Sequence, residues 1–308
     1  MPSKKTPNLP VSRKMRYMAE AVLVYMLYGF FKIMPVDMAS YIGGWMMRQI
    51  GSRMAARRKA ERHIAFALPE LSKEQQKAAV LDMWDNLGRV FAEYPHLKTL
   101  HSRMEFVGGE YLDQLRKENK PAIVVSGHFA NWEACPIMAE QHGIPVHLVY
   151  RPPNNIYLDG LLTRARSKGG AIGHISKNVE GARQMLKVLK SGGRLGVLVD
   201  QKFNQGIAVP FFGADAMTTP TPTQLASRLD CPLYPARIER LHGAHFRVTV
   251  YPRIPVPDTG DKEQDSYIML SQIHALFEDW IRERPGQWLW LHRRWPKEAL
   301  DKKKQCAK

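Results

Sequence analysis

The residues best suited to chemistry stand in the stretch VSGHFANWEAC, at positions 125 to 135, where His128 and Glu133 lie five positions apart behind an apolar run. A histidine titrates near neutral pH and can take a proton from a hydroxyl when an acceptor holds its second ring nitrogen. Glu133 is a candidate for that acceptor. On a continuous helix, positions five apart point about 140° away from each other. The pairing therefore requires that the helix begin after His128.

Other interpretations of the pair are possible. A His at a strand end and a Glu in the first helical turn can simply favour the helix terminus. A metal site is not predicted, because two ligands are too few and no third follows in pattern. No serine or cysteine stands in an elbow sequence such as GxSxG. The pair thus favours activation of a substrate hydroxyl for direct attack, and acyl transfer from a thioester fits that chemistry.

Alternating strands and helices are predicted to position these residues. The predicted strands are AIVVS (122–126), VHLVY (146–150) and RLGVLVD (194–200), separated by helical patterns. This order predicts a mostly parallel sheet, in which ligands bind at the carboxyl ends of the strands. Polar clusters follow the three strands, and they contain Asn131 with His128 and Glu133, then Tyr150 with Arg151, then Asp200 with Gln201.

The flanking segments complete the expected α/β fold. Residues 72–98 and about 263–284 have helical periodicity, and PLYPARIER with HFRVTVYP predicts a strand pair turning at Gly243. The stretch QKFNQGIAVPFFGADAMTTPTPT is too long for a simple connector, so it is predicted to be a functional loop.

Charge is concentrated at the amino terminus. The chain has 308 residues and a formal charge of +16, and residues 1–62 hold twelve Lys and Arg against three Asp and Glu. Anionic partners are expected, and nucleic acid is not, because the charges flank apolar segments and form no nucleic-acid-reading motif. The uncharged run AVLVYMLYGFF has eleven residues. It is marginal for a membrane span of roughly 20 residues and suits an interfacial helix equally well.

These patterns predict three regions. Residues 1–62 form a basic region with a membrane-anchoring helix at about 17–36, residues 63–300 form the catalytic α/β domain, and residues 301–308 form a solvated basic tail. The basic residues after the apolar run favour a body on the cytoplasmic side.

Three motifs in order, GHFANWE, VLVDQ…GIAVPFFGADAMTT and PGQWLWLHRRW, resemble the late acyltransferases of lipid A biosynthesis in Gram-negative bacteria. The resemblance runs over roughly residues 15–296. It implies a glycerolipid-acyltransferase-like α/β fold anchored to the inner membrane, with the active site on the cytoplasmic face. It also implies transfer of a fatty acyl chain from acyl carrier protein to the 3-hydroxyl of an acyl chain on the Kdo-lipid A precursor. The carrier thioester is the donor, and no cofactor is expected.

The resemblance also implies roles for individual residues. His128 becomes the general base with Glu133 as its partner, and Arg164 is expected to meet substrate phosphate or carry oxyanion charge. Asp200 is expected to organise the pocket, and Asn131 and Arg151 are expected to bind substrate. The aromatic residues of QWLWLHRRW can pack in the core or line the site for acyl chains, with Arg293 and Arg294 on phosphate.

Two rival functions stay open at this point. The same chemistry would serve an acyltransferase for another membrane acceptor, such as a phospholipid, an aminolipid or a glycolipid. A non-catalytic membrane or carrier-protein adaptor would keep the fold without the reaction.

Overall fold

The structure is a computed structural model that describes residues 10–306, with the side chains of residues 10–301. Eleven α-helices lie within that range: α1 (Val11–Lys32), α2 (Val36–Gly51), α3 (Ala56–Ala67), α4 (Lys73–Glu93), α5 (Gly109–Glu118), α6 (Cys135–Gln141), α7 (Asp159–Lys168), α8 (Val179–Lys190), α9 (Thr221–Leu229), α10 (Lys262–Glu283) and α11 (Lys297–Cys306). Nine strands lie within it: β1 (Met104–Val107), β2 (Ala122–Ser126), β3 (Val146–Tyr150), β4 (Ala171–Ser176), β5 (Arg194–Leu198), β6 (Ile207–Phe211), β7 (Ala214–Thr218), β8 (Leu233–His242) and β9 (His245–Val250).

The first helix differs from the predicted anchor at 17–36. It begins after Pro10 and ends at Lys32, and α2 starts after Pro35. Proline favours the start of a helix and cannot continue one, which explains both boundaries. Among the described residues, no helix combines the length and apolar character needed to cross a bilayer.

A close contact between α2 and α4 fixes the amino-terminal helices on the body. A Cβ built on Gly88 would lie 2.1 Å from the carbonyl oxygen of Gly43, so both positions need glycine for the backbones to approach. The helix predicted at 72–98 is α4, which starts with a capping box between Ser72 and Gln75 and ends before Pro95.

The mostly parallel sheet is confirmed. Seven strands run in the order β1-β9-β8-β2-β5-β3-β4, and every neighbouring pair is parallel except β8 with β9. That antiparallel pair turns at Gly243, as predicted, with φ +47°. Strand β2 is buried at all five positions and lies at the centre of the order.

The prediction of a long loop after Asp200 is wrong in part, because the segment contains the antiparallel hairpin of β6 and β7. Phe212 and Gly213 form its two-residue turn, both with positive φ (53° and 76°), as a tight hairpin of this kind requires. The hairpin packs against α10. The sequence did not indicate this turn, because phenylalanine rarely adopts the left-handed conformation that Phe212 has here.

The boundary predicted at residue 62 falls inside α3. Ala60 before it and Ile64 after it join the same hydrophobic core as the sheet. The predicted tail continues as helix α11 through Cys306, and its last two residues lie outside the described part of the chain.

Candidate active site

Strand register brings His128 and Asp200 together. Ser126 pairs with Leu198 at the ends of the parallel neighbours β2 and β5. His128 and Asp200 each follow two residues later, and the backbone N–H of Val199 still donates to the carbonyl of Ser126. Two residues 72 apart in sequence therefore meet at one edge of the sheet.

Asp200 holds the imidazole of His128. Its Oδ1 lies 2.8 Å from Nδ1 of His128, and its Oδ2 accepts from the backbone N–H of His128 at 2.8 Å and from the indole N–H of Trp288 at 2.9 Å. Burial alone would raise the pKa of Asp200, but the neighbouring His128 outweighs it and keeps that pKa well below its usual range. An ionised carboxylate at Nδ1 assigns the ring proton to that nitrogen, leaving Nε2 as the acceptor.

The Nε2 atom of His128 faces Gln201. The side-chain nitrogen of Gln201 lies 3.2 Å from it and 2.9 Å from Nε2 of His292, so one amide can donate a hydrogen bond to each ring. Burial first, and then the proximity of His128, lowers the pKa of His292 to about 4. His292 is therefore a neutral acceptor at pH 7.

Glu133 does not contact the imidazole, which corrects the predicted pairing. The local helix does begin after His128, as a 3₁₀ turn from Trp132 to Ala134, but the carboxylate of Glu133 turns to Arg166. The guanidinium donates to it twice, at 2.6 and 2.7 Å, and Tyr94 donates to the same carboxylate. These donors outweigh burial and lower the pKa of Glu133, so it is ionised.

Arg166, not Arg164, is the arginine at the site. Arg164 is exposed, whereas Arg166 lies over the ring of Tyr150, with its central carbon 5.3 Å from the ring centre. Its Nη1 is buried and has no hydrogen-bond partner among the described residues.

Of the other residues expected to contact substrate, Arg151 lines the site, whereas Asn131 and Asp200 are buried. Arg151 is exposed and lines the site. Asn131 is fully buried, and its amide donates to Glu93 at 2.7 Å while its oxygen accepts from the backbone N–H of Glu133 at 3.2 Å. The prediction of substrate binding by Asn131 is wrong, because both ends of the amide are engaged inside the protein. Asp200 is likewise buried behind His128.

The carboxyl-terminal motif supports the loop that carries His128. The backbone N–H of Leu289 donates to the carbonyl of His128, and that of Ala130 donates to Gln287. Trp288, Trp290 and Trp295 are each exposed by 1% or less, so they are packing residues and do not line the site. The sequence allowed both roles.

A cavity of about 560 Å³ opens beside these residues. Its polar end is formed by His128, Glu133, Arg166, Gln201 and His292. Its apolar walls come from β2, β3, β5 and α6, through residues that include Val124, Met138, Ala139, Val146 and Leu148. This volume is within the usual range for a small-molecule site.

Other reactive groups at the cavity do not suggest a different chemistry. Cys135 lines it, but burial raises the pKa of its thiol to about 12, so the thiolate nucleophile is absent at neutral pH. Within the described residues, no group of three or more His, Cys, Asp or Glu side chains is placed to hold a metal ion.

Residues 7–297 match the family model described as bacterial lipid A biosynthesis acyltransferase. The chain belongs to this family. It is similar to the lipid A biosynthesis acyltransferase of Haemophilus influenzae, with 24% identity over 76% of this chain and 74% of the relative. It is similar to the lipid A biosynthesis lauroyltransferase of Escherichia coli, with 24% identity over 76% of each chain. The palmitoleoyltransferase of the same pathway in Escherichia coli is 22% identical over 76% of this chain and 77% of that relative.

As a lipid A biosynthesis acyltransferase, the protein is an acyl-transferring enzyme, and the predicted family is confirmed. The sequence predicts His128 as the base with Glu133 as its partner, whereas in the structure Asp200 holds the imidazole. The sequence placed Gln201 in the polar cluster after β5, but spacing along the chain gave no signal for His292, which reaches His128 from the carboxyl-terminal segment after α10.

Proposed function

We propose that this acyltransferase moves a fatty acyl chain from acyl carrier protein to the 3-hydroxyl of an acyl chain on the Kdo-lipid A precursor. One observation carries the proposal: a histidine whose Nδ1 is held by a buried carboxylate turns Nε2 toward a cavity with one polar end and apolar walls. The family supports acyl transfer in lipid A biosynthesis.

In the proposed first step, the acceptor hydroxyl takes the place of the Gln201 amide at Nε2 of His128. That nitrogen accepts the hydroxyl proton while the oxygen attacks the thioester carbonyl. Asp200 then lies beside an imidazolium, and its negative charge stabilises that cation.

The oxygen of the tetrahedral intermediate carries the negative charge that forms in this step. Arg166 supplies positive charge at the polar end of the cavity, and Glu133 with Tyr94 holds its guanidinium in place. Collapse of the intermediate breaks the carbon–sulfur bond. The departing thiolate then takes the proton from His128, which restores the neutral imidazole.

Membrane attachment belongs to the same proposal. Fifteen large apolar side chains stand exposed on α1, α2 and the turns beside them: Val11, Met15, Met18, Val22, Leu23, Tyr25, Met26, Leu27, Phe30, Ile33, Met38, Tyr41, Trp45, Ile50 and Met54. Basic residues in the same region favour an anionic surface. These features support docking at the inner membrane, with the catalytic body on the cytoplasmic face.

The test uses the purified full-length protein with acyl carrier protein carrying chains of several lengths. We expect one added acyl chain on the Kdo-lipid A precursor, detected by mass spectrometry, and no product when the 3-hydroxyl is already acylated. Acylation of a phospholipid or aminolipid, with the precursor left unchanged, would contradict the proposed acceptor.

A further inference from the structure

A second cavity, of about 440 Å³, lies between α3 and the segment from residue 293 to 300. We call it the α3 cavity. Its cationic lining residues are Arg58, Lys59, Arg62, Arg293 and Lys297, and its remaining lining residues are Ala55, His63, Trp295 and Leu300. The lining, within the described residues, contains no Asp or Glu.

The arginines of the α3 cavity are free to bind an anion. Arg58, Arg62 and Arg293 are exposed and make no ion pair with any carboxylate in residues 10–301. Arg57, the neighbour of Arg58 on α3, behaves differently, because it donates to Glu61 at 2.7 Å. Arg58 and Arg62 are four residues apart, so they stand one turn apart on the same face of the helix.

The positive charges of the α3 cavity also act on His63, a buried residue of its lining. The pKa of His63 is lowered to about 4, first by burial and then by the charges of Lys59, Arg293 and Arg62. Lys59 donates to the carbonyl of Leu291 at 3.1 Å, which fixes its ammonium at the cavity. These cations lie at one concave site, where a bound anion would relieve their mutual repulsion.

The α3 cavity adjoins the active site. Arg293 lines both cavities. It directly follows His292, whose ring centre lies 5.4 Å from that of His128. One elongated substrate can therefore place its reacting hydroxyl at His128 and an anionic group in the α3 cavity.

We propose that the α3 cavity binds a phosphate monoester of the acceptor glycolipid. A phosphate dianion accepts paired hydrogen bonds from guanidinium groups, and arginines form most of the open cationic lining. The concave shape suits a small headgroup better than the convex surface of an acidic carrier protein. The inference rests on the proposed acceptor class and adds a site for its charge.

The test compares the double variant Arg58→Ala, Arg62→Ala with Arg183→Ala. Arg183 is an exposed arginine on α8 that lines neither cavity, so its loss is a matched control for removal of positive charge. Binding is measured for the phosphorylated acceptor and for the same acceptor after phosphatase treatment, both in neutral detergent. Inorganic phosphate serves as a soluble probe, read as the rise in Tm that it causes.

We expect the double variant to bind the phosphorylated acceptor at least about tenfold more weakly than the wild type, and to bind the dephosphorylated acceptor equally well. The Tm rise with phosphate should shrink in the double variant and persist in Arg183→Ala. Steady-state kinetics should show a raised KM for the acceptor and an unchanged KM for acyl carrier protein, which excludes the phosphate of the carrier's prosthetic group as the ligand.

Three outcomes would overturn the inference. The first is an equal loss of affinity for both acceptors in the double variant. The second is a KM raised for acyl carrier protein alone. The third is a wild-type enzyme that binds the phosphorylated and the dephosphorylated acceptor equally well. A wild-type enzyme with no transfer activity would contradict the proposed function instead, while the binding comparison would still test the α3 cavity.

Discussion

At the residue scale, the reaction depends on which side chain holds each reactive group. The structure separates two pairs, His128 with Asp200 and Arg166 with Glu133. The first pair orients the proposed base, and the second holds the Arg166 guanidinium at the same cavity. Both carboxylates are buried, and the His128 and Arg166 side chains that face them keep each of them ionised.

Asp200→Asn should weaken the proposed base, His128, without changing the shape of the site. The amide keeps the shape of the carboxylate, but it carries no charge to stabilise the imidazolium and can favour the wrong tautomer. We expect kcat to fall by about 10²–10⁴-fold with little change in KM for the acceptor. Steady-state kinetics at pH 7.5 measure both constants, and a near-normal kcat would contradict the pairing.

The two neighbouring arginines of α7 provide a matched comparison. Arg166→Ala removes the charge beside the proposed oxyanion, and we expect kcat to fall by about 10²–10³-fold. Arg164→Ala removes an exposed charge and should change kcat less than about threefold. The two variants are compared by single-turnover acyl transfer. A larger loss in Arg164→Ala would reverse the assignment.

At the element scale, a buried ionic cluster joins α2, α4 and β8 to the loop after β2. Glu93 on α4 accepts from Arg240 on β8 and from Ser40 on α2, and it also accepts from Asn131 in the loop after β2. Asn86, also on α4, donates to the carbonyl of Ala130 at 2.9 Å. The loop holding His128 and Glu133 is thereby tied to the helices beneath it.

Glu93→Gln tests that cluster through stability. The substitution leaves the guanidinium of Arg240 buried beside no carboxylate, so we expect the free energy of unfolding to fall by about 3–5 kcal/mol. Glu105→Gln is the control, because the pair of Glu105 with Arg247 is exposed and worth about 1 kcal/mol or less. Urea denaturation compares the variants, and equal effects would contradict a special role for the buried pair.

Apolar runs and helical spacing in the sequence predicted several elements close to their observed bounds. Strands β2 and β3 have the predicted boundaries, and α4 and α10 lie where helical spacing indicated. Strands β1 and β4 carried weaker patterns, because exposed or polar positions interrupt them. The pairing of Asp200 with His128 follows from the order β2-β5 in the sheet, and one sequence does not give that order.

At the scale of the whole molecule, the fold places the candidate active site and the apolar amino-terminal helices on one body. The parallel sheet brings distant strand ends to the polar end of one cavity, and the amino-terminal helices pack on α4 with their apolar sides exposed. The basic α3 cavity lies beside the reaction site.

Buried histidines make the stability of the whole molecule depend on pH. Burial is the main cause that lowers the pKa of His63 and His292 to about 4 and that of His274 to about 3. The unfolded chain takes up these protons near pH 6.5, so their contribution is complete above that pH and is lost as pH falls toward 4. We expect the free energy of unfolding to fall by about 2 kcal/mol or more between pH 7.5 and 5.5.

Urea denaturation at both pH values, with unfolding followed by tryptophan fluorescence, measures that difference. Replacing His63 with Gln should flatten the dependence. Stability that is constant or higher at pH 5.5 would contradict the assignment of these histidines as neutral in the folded protein.

In the proposed reaction, Nε2 of His128 is the base that deprotonates the acceptor hydroxyl. The most direct test of this role is single-turnover acyl transfer by His128→Ala, with acceptor binding measured in parallel. We expect a rate at least about 10²-fold below that of the wild-type enzyme, with acceptor affinity and folding retained. A His128→Ala enzyme that transfers the acyl chain at a near-normal rate would contradict it.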